Sequence, residues 1–556
     1  MHVAFPQIEK SERRFVWWGI VITLVCVLFP FVLGATVLRQ GDAFLGLSTQ
    51  APSDTNVYYS MMEQAKVSGH SLFTNVFTPE KQQHAFFEPL WAILGYAAGV
   101  AHVPNSVVFH FARIVMGAVF LWVVYRCLYV FCPTVVQRRV AFALIAGGMG
   151  VGAYIAPFLH ITTVQEFMAF NPVDVWVSEA FTFTTLMHSP LFITSQLLLV
   201  LLFTLAVRDD QQPGTVPHVI FAGIIVLLAV LHPYDLPAAF VVLTAFLFTR
   251  MVRDKTFTPA LAFYSLRRLL IMGCVALAVG IYWIAVYTFE PGFGGWARQN
   301  ITTSPPVIRY VYGYGFLLVF AAFAWFRGAR RSSTTLPVVL LLAWTLAQGL
   351  LLYAPTQIQR RFTNGLQPAL AILASFAVIE LWEWLRQRGH VQWQRTAWRA
   401  GALWIAPMLF FFTPVFIMAR DTNKYASYDA GSWSLYVQPH STLAAMEWLR
   451  AQPPGLIVTS IPTAYILSGR TLLPTYVSHG HQTLDFENKR DALKAVLDGP
   501  STSAEKFFRR ENVRYLFWTS LEHDAYEHFE PKNAPYLREI YRTATADVYE
   551  VISQAQ

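Results

Sequence analysis

The sequence predicts a mainly α-helical protein that crosses a membrane many times and ends in a small α/β domain. Three observations predict it. Of 556 residues, 55% are hydrophobic and only 13% are charged, too apolar a balance for an ordinary water-soluble chain. Apolar runs of about 17–25 residues, the length that crosses a hydrocarbon core, recur up to residue 419. After that point the pattern changes to short, mixed strand and helix signals. The expected division is a membrane domain over 1–419 with outer loops, followed by an α/β domain over 420–556.

Hydropathy draws the spans at 15–38, 105–126, 140–158, 191–207, 216–231, 236–249, 269–288, 310–326, 336–353, 366–385 and 400–419, about eleven in all. The shorter apolar run 89–103 is assigned to the interface, because counting it as a span inverts the side of every later loop. Charge supports that choice. The clusters Arg126/Arg138/Arg139, Arg250/Arg253/Lys255/Arg267/Arg268, Arg327/Arg330/Arg331 and Arg386/Arg388/Arg395/Arg399 then share one side with Lys10, Arg13 and Arg14. The excess of Lys and Arg marks that side as cytoplasmic. The net charge of +8 is therefore read as a topology signal, and nucleic acid is not an expected partner. The run 15–38 follows basic residues without a small-residue cleavage site, so it reads as an uncleaved first span with a cytoplasmic N-terminus. Cys26, Cys127, Cys132 and Cys274 lie in or beside apolar runs and lack metal-ligand spacing to a histidine. They read as packing residues.

On the opposite, extracytoplasmic side fall the loops 41–88, 159–189, 290–309 and 354–365 and the C-terminal tail. In the tail, helices are expected over 441–451, 489–497 and 504–510, and strands over 456–459, 513–518 and 548–552. It contains neither a Gly-rich phosphate loop nor an internal repeat.

Four groups of residues carry chemistry. The first loop holds Asp42, Asp54, Glu63 and Glu88. Asp54 follows a Pro-Ser turn at the start of a short amphipathic helix over 55–67, where a carboxylate either caps free backbone N–H groups or serves a reaction. His232-Pro233-Tyr234-Asp235 separates two runs barely long enough to span. A break at that depth needs to line a cavity or be buried in protein, and ionisable residues there are functional candidates. His110 and Arg113, one turn apart in the second span, belong to the same class. Arg360 and Arg361 form a basic pair on the side where positive charge is disfavoured, and paired guanidiniums suit phosphate. The loop 159–189 carries Glu166, Asp174, Glu179 and His188 among aromatic residues. It reads as lying along the membrane surface, its carboxylates structural rather than diagnostic of a metal.

One span, a long outer loop with Asp54 ahead of Tyr58-Tyr59, and a helix start at Glu88-Pro89-Leu90-Trp91 together resemble the GT-C superfamily of membrane glycosyltransferases. The ordered motifs Trp176-Val-Ser-Glu179, His232-Pro-Tyr-Asp235, Gly313-Tyr-Gly315 and Gln359-Arg360-Arg361-Phe362 are similar to a bacterial branch of it. The resemblance implies inverting transfer of a sugar from a polyprenyl-phosphate donor to a glycan, lipid or protein acceptor, at the outer face of a bacterial plasma membrane. It implies Asp54 as general base, with Asp42 second, and Arg360 and Arg361 on the leaving phosphate. Tyr58, Tyr59, Glu88, Glu179, His188, His232, Tyr234 and Asp235 are implied substrate-binding residues. A divalent cation, Mg or Mn, is left open. The adjacent Asp-Glu pair of the protein mannosyltransferases is missing, as is the sequon machinery of oligosaccharyltransferases, which leaves the acceptor undefined. The alternatives are a polyprenyl-linked glycan flippase and a glycan polymerase or ligase; the lack of repeated halves speaks against a transporter.

Overall fold

A computed structural model describes residues 7–212, 216–253, 258–330, 335–388, 396–428 and 434–552. Every expected span is helical. Among the described residues seven helices are long and apolar enough to cross a membrane: Lys10–Thr36, Asn105–Phe131, Pro190–Gln211, Asp235–Arg253, Ser265–Phe289, Val307–Arg330 and Gln359–Gln387. Val135–Gly147 and Gly152–Phe158 form an eighth, bent by 46°. His218–Leu231 and Leu336–Leu351 are apolar but shorter, and the last expected span lies within Thr396–Ala426. The chain is an integral membrane protein. Pro89–Ala101 has 13 residues, about 20 Å of helix against a hydrocarbon core of about 30 Å. That is too short to span.

The chain divides into two compact units. One comprises Met1–Phe29, Phe111–Gly280 and Thr302–Asp421; the other comprises Pro30–His110, Ile281–Ile301 and Thr422–Gln556. The C-terminal region from Thr422 thus shares its unit with the first loop.

In the first unit, Pro190–Gln211 is the most deeply buried span. Its C-terminal Asp209 and Asp210 are ion-paired with Arg268, and Asp210 also with Arg250 at 2.6 Å. Two arginines of an expected cytoplasmic cluster are therefore buried against carboxylates. Near the N-terminus Glu12 accepts from Arg138 at 3.0 Å and from Tyr129 at 2.6 Å, and also from Tyr125. Each of these buried charges has an opposite partner, which offsets the cost of isolating it.

The helix Val307–Arg330 is interrupted at Gly315, whose φ of 46° lies in the left-handed region. Two residues earlier, a Cβ on Gly313 would come within 2.3 Å of Val173 Cγ2 and 2.9 Å of its backbone nitrogen. The absence of a side chain lets this helix touch the short 3-10 turn Val173–Val175, which leads directly to Glu179. Gly313→Ala should therefore lower the melting temperature of the purified protein, by about 1–3 kcal/mol of overpacking. Alanine's higher helix propensity alone would raise it, so an unchanged or higher melting temperature contradicts the contact.

In the second unit a four-stranded sheet runs in the order Leu456–Val458, Val513–Thr519, Ala546–Val551, Leu537–Arg542. The first pair is parallel and the others antiparallel. The expected helices appear as His440–Arg450, Phe486–Leu497 and Glu505–Arg510. The helix Ile461–Thr471 and the outer strand Leu537–Arg542 are additional. Leu45 and Leu47 of the first loop enter a core with Met446, Ile466 and Phe517, and Asp42–Phe44 pairs antiparallel with Val437–Pro439.

Candidate functional site

The first unit contains a continuous set of buried polar groups. It begins at the 3-10 turn Gln359–Thr363, fixed by its neighbours before any charged side chain is considered. Gln359 donates to the Ala354 carbonyl at 2.7 Å and accepts from the Ser304 N–H at 3.0 Å. Gln348 donates to the carbonyls of Phe362 at 2.8 Å and Asn364 at 2.5 Å. This backbone carries Arg360 over the Trp176 ring at 4.7 Å. It holds Arg361 beside Phe192 at 6.0 Å and Tyr234 at 5.9 Å.

Glu179 faces Arg361, with Oε1 at 3.6 Å from Nη1, and its Oε2 accepts from Ser178 Oγ at 3.1 Å. Burial pushes the Glu179 carboxyl up, but the guanidiniums of Arg361 and then Arg360 outweigh it and hold the group below the usual carboxylate range. Asp174 lacks such a partner. Burial raises it to about 7 despite the Gly152 N–H donated to it at 2.9 Å. Glu166, in contrast, forms a capping box with Thr163 on the helix Val164–Phe170, the structural role expected of it.

His232-Pro-Tyr-Asp235 joins His218–Leu231 to Asp235–Arg253. His232 is 4% exposed and Asp235 fully buried, so the helix break is enclosed in protein. Asp235 Oδ2 accepts from Asn364 Nδ2 at 2.7 Å, lies 2.9 Å from His232 Nδ1 and also accepts from Ser195 Oγ. The Phe192 ring lies 5.1 Å from His232 and 5.2 Å from the buried His188. Glu179, His188, His232, Tyr234, Asp235, Arg360 and Arg361 therefore gather around Phe192 and the Gln359–Thr363 turn. Ser195, Asn364 and Phe192 were not expected; Asn364 lies three residues beyond Arg361 in the same polar segment, whereas Ser195 is one of three hydroxyl residues, with Thr194 and Thr204, in an apolar run.

Asp54, Asp42, Tyr58, Tyr59 and Glu88 lie in the second unit. The helix there is Pro52–Ser68, one turn longer than expected, with Ala51 at its cap and no side-chain cap bond. Asp54 is not the cap. Its Oδ1 lies 3.7 Å from Nε2 of His479. Nδ1 of that histidine accepts the N–H groups of His481 at 3.1 Å and Gln482 at 3.3 Å. Those two donors assign the ring proton to Nε2, facing Asp54. The loop holding His479 is tied down by Asn75, which donates to the Gln482 carbonyl at 2.7 Å, and by Thr483, which donates to the Phe77 carbonyl at 2.7 Å. His479 was not expected; the polar run Ser478-His479-Gly480-His481 is its visible trace.

The remaining residues have structural partners. Tyr58 stacks on Trp91 at 4.3 Å, Tyr59 donates to the Gly46 carbonyl at 2.9 Å, and Asp42 starts the strand paired with Val437–Pro439. Glu88 is 6% exposed, and burial pushes its carboxyl well up. His110 contacts the Gly46 carbonyl at 2.8 Å, whereas Arg113 donates to the Leu186 carbonyl at 2.7 Å. Among the described residues no three His, Cys, Asp or Glu side chains gather to hold a metal ion.

The fold is shared with solved structures of a membrane oligosaccharyltransferase. The chain is similar to the oligosaccharyltransferase of Archaeoglobus fulgidus tethered to an acceptor peptide with the NVT sequon. Identity is 14% and the TM-score 0.57, over 98% of this chain and 74% of that one. It is also similar to the archaeal oligosaccharyltransferase AglB of that organism in complex with an inhibitory peptide and a dolichol-phosphate. There the values are 13% and 0.55, over 92% and 70% of the two chains. ArnT from Cupriavidus metallidurans bound to undecaprenyl phosphate matches at 11% and 0.48, over 97% and 98%. No family model matches the chain, and no curated protein does.

The Glu179–Arg361 pair has a testable pH signature. A carboxyl depressed by folding adds stability that is complete above its unfolded value, and that is lost as pH falls through the folded value. Glu179→Gln should lower the melting temperature by an amount constant between pH 6 and 8, about 1–3 kcal/mol. The gap to the unsubstituted protein should close only below the ordinary carboxylate range. A gap that widens on acidification contradicts the pairing.

Proposed function

We propose that the protein transfers a sugar from a polyprenyl-phosphate carrier to a hydroxyl of an acceptor, with inversion at the anomeric carbon. The observation that carries this reading is the pair Arg360–Arg361, held on a fixed turn against Glu179 and aromatic rings, in a GT-C fold. Paired guanidiniums match the oxygens of a phosphate through their forked N–H donors. The basic clusters support a cytoplasmic N-terminus and an extracytoplasmic C-terminal region, and the family resemblance implies a bacterial plasma membrane.

In the proposed reaction the acceptor hydroxyl oxygen attacks the anomeric carbon as the bond from that carbon to the phosphate oxygen breaks. The electron pair of the broken bond remains on the polyprenyl phosphate, whose added charge Arg360 and Arg361 stabilise. The hydroxyl proton passes to Asp54. His479 acts as a positioning residue, its Nε2–H directed at the carboxylate Oδ1 across 3.7 Å. His232, Asp235, Ser195 and Asn364 form a rigid hydrogen-bonded support beside the arginine turn. Among the described residues no three His, Cys, Asp or Glu side chains gather to hold Mg or Mn.

With a lipid-linked sugar donor, Asp54→Asn should abolish transfer while leaving the melting temperature and carrier binding unchanged. If Asp54→Asn and Asp42→Asn both transfer sugar normally, the base is misassigned. His479→Gln should reduce kcat about 10–100-fold with little change in KM, at or below the lower end of the roughly 10²–10⁴-fold that a general acid–base group itself contributes. It should also shift the pH–rate profile. A loss confined to KM or to stability contradicts the positioning role.

A further inference from the structure

The second unit contains a cavity of about 420 Å³ that the reaction above does not use, lined by Asn56, Tyr59, Glu63, Asn105, Arg450 and Arg470 among others. Its volume lies at the lower end of the about 300–1,000 Å³ typical of small-ligand sites. Asn56, Tyr59 and Glu63 project from one face of Pro52–Ser68, three and four residues apart. Asp54, two residues before Asn56, is turned about 200° away on the same helix.

Most of the charge in the cavity is already matched. Arg450 pairs with Glu63 at 2.8 Å, and Glu447 lies 3.8 Å from Arg450 and 3.9 Å from Arg470. Lys66 donates to the Val103 carbonyl at 3.2 Å. Left over are hydrogen-bonding atoms of both kinds. Nδ2 of Asn56, a residue 4% exposed, is a buried donor without a partner. So is Nε of Arg470, and Oδ1 of Asn105 is a buried acceptor without one. Burial of such atoms costs about 1–3 kcal/mol each. A hydroxyl both donates and accepts, so a ligand carrying several adjacent hydroxyls matches this set, whereas an anion meets guanidiniums already paired.

We propose that this cavity binds a neutral, hydroxyl-rich sugar unit of mono- or disaccharide size, part of the acceptor. The inference rests on the glycosyl-transfer reading only for the ligand's place in the reaction. The test is saturation-transfer NMR on the full-length protein in detergent, with methyl glycosides of glucose, galactose, mannose and N-acetylglucosamine, and with glucuronate and inorganic phosphate. At least one neutral glycoside should bind saturably, with affinity at least tenfold weaker in Asn56→Ala and Arg470→Met. Ser106→Phe, which narrows the cavity without removing a buried polar group, should abolish binding even if the other variants fold poorly. Binding should survive in Asp54→Asn, so that failure of the base assignment leaves the cavity result intact. Absence of any saturable glycoside, binding of glucuronate or phosphate alone, or unchanged affinity in Ser106→Phe overturns the proposal.

Discussion

An ionised side chain enclosed in an apolar helix bundle is sustained only by a partner of opposite charge or by several hydrogen bonds, and the first unit is built around that requirement. Glu12 is held by Arg138 and two tyrosines, and Asp209 and Asp210 by Arg268 and Arg250. Asp235 is held by Asn364, Ser195 and His232. Arg361 faces Glu179, and the two arginines lie against the rings of Trp176, Phe192 and Tyr234. Aromatic faces hold a guanidinium in place without neutralising it.

Backbone geometry sets up that arrangement. The left-handed Gly315 and the bare Gly313 bring Val307–Arg330 against the turn at Val173–Val175. Glu179 lies only four residues beyond that turn. Gln348 and Gln359 fix the arginine turn through carbonyls, and Asn364 joins the same turn to Asp235. Removing one of these contacts moves a charged group that has little alternative solvation.

Much of the fold was legible in the sequence because bilayer thickness dictates the length and composition of a span. The runs 191–207 and 236–249 reappear as Pro190–Gln211 and Asp235–Arg253, and the short run at 89–103 becomes a helix too short to cross. Charge counting was less complete. Arg250 and Arg268 read as topology signals; that Asp209 and Asp210 also pair with them was not legible, since pairing across distant helices has no local pattern. The site was legible where several polar residues cluster, as in His232–Asp235 and Gln359–Phe362. It was hidden where a contact joins positions far apart in the chain, as with Ser195 and Asp235 or His479 and Asp54. The cap reading of Asp54 failed for a local reason: Pro52 starts the helix earlier, so the cap falls on Ala51.

The central claim is that Arg360 and Arg361 recognise the phosphate of a polyprenyl carrier. Native mass spectrometry of the purified protein with undecaprenyl phosphate and with undecaprenol separates that contact from binding of the hydrocarbon tail. The account predicts marked retention of the phosphate over the alcohol, and loss of that preference when both arginines are replaced by glutamine. Equal retention of the two lipids, or a preference that survives the double replacement, contradicts it.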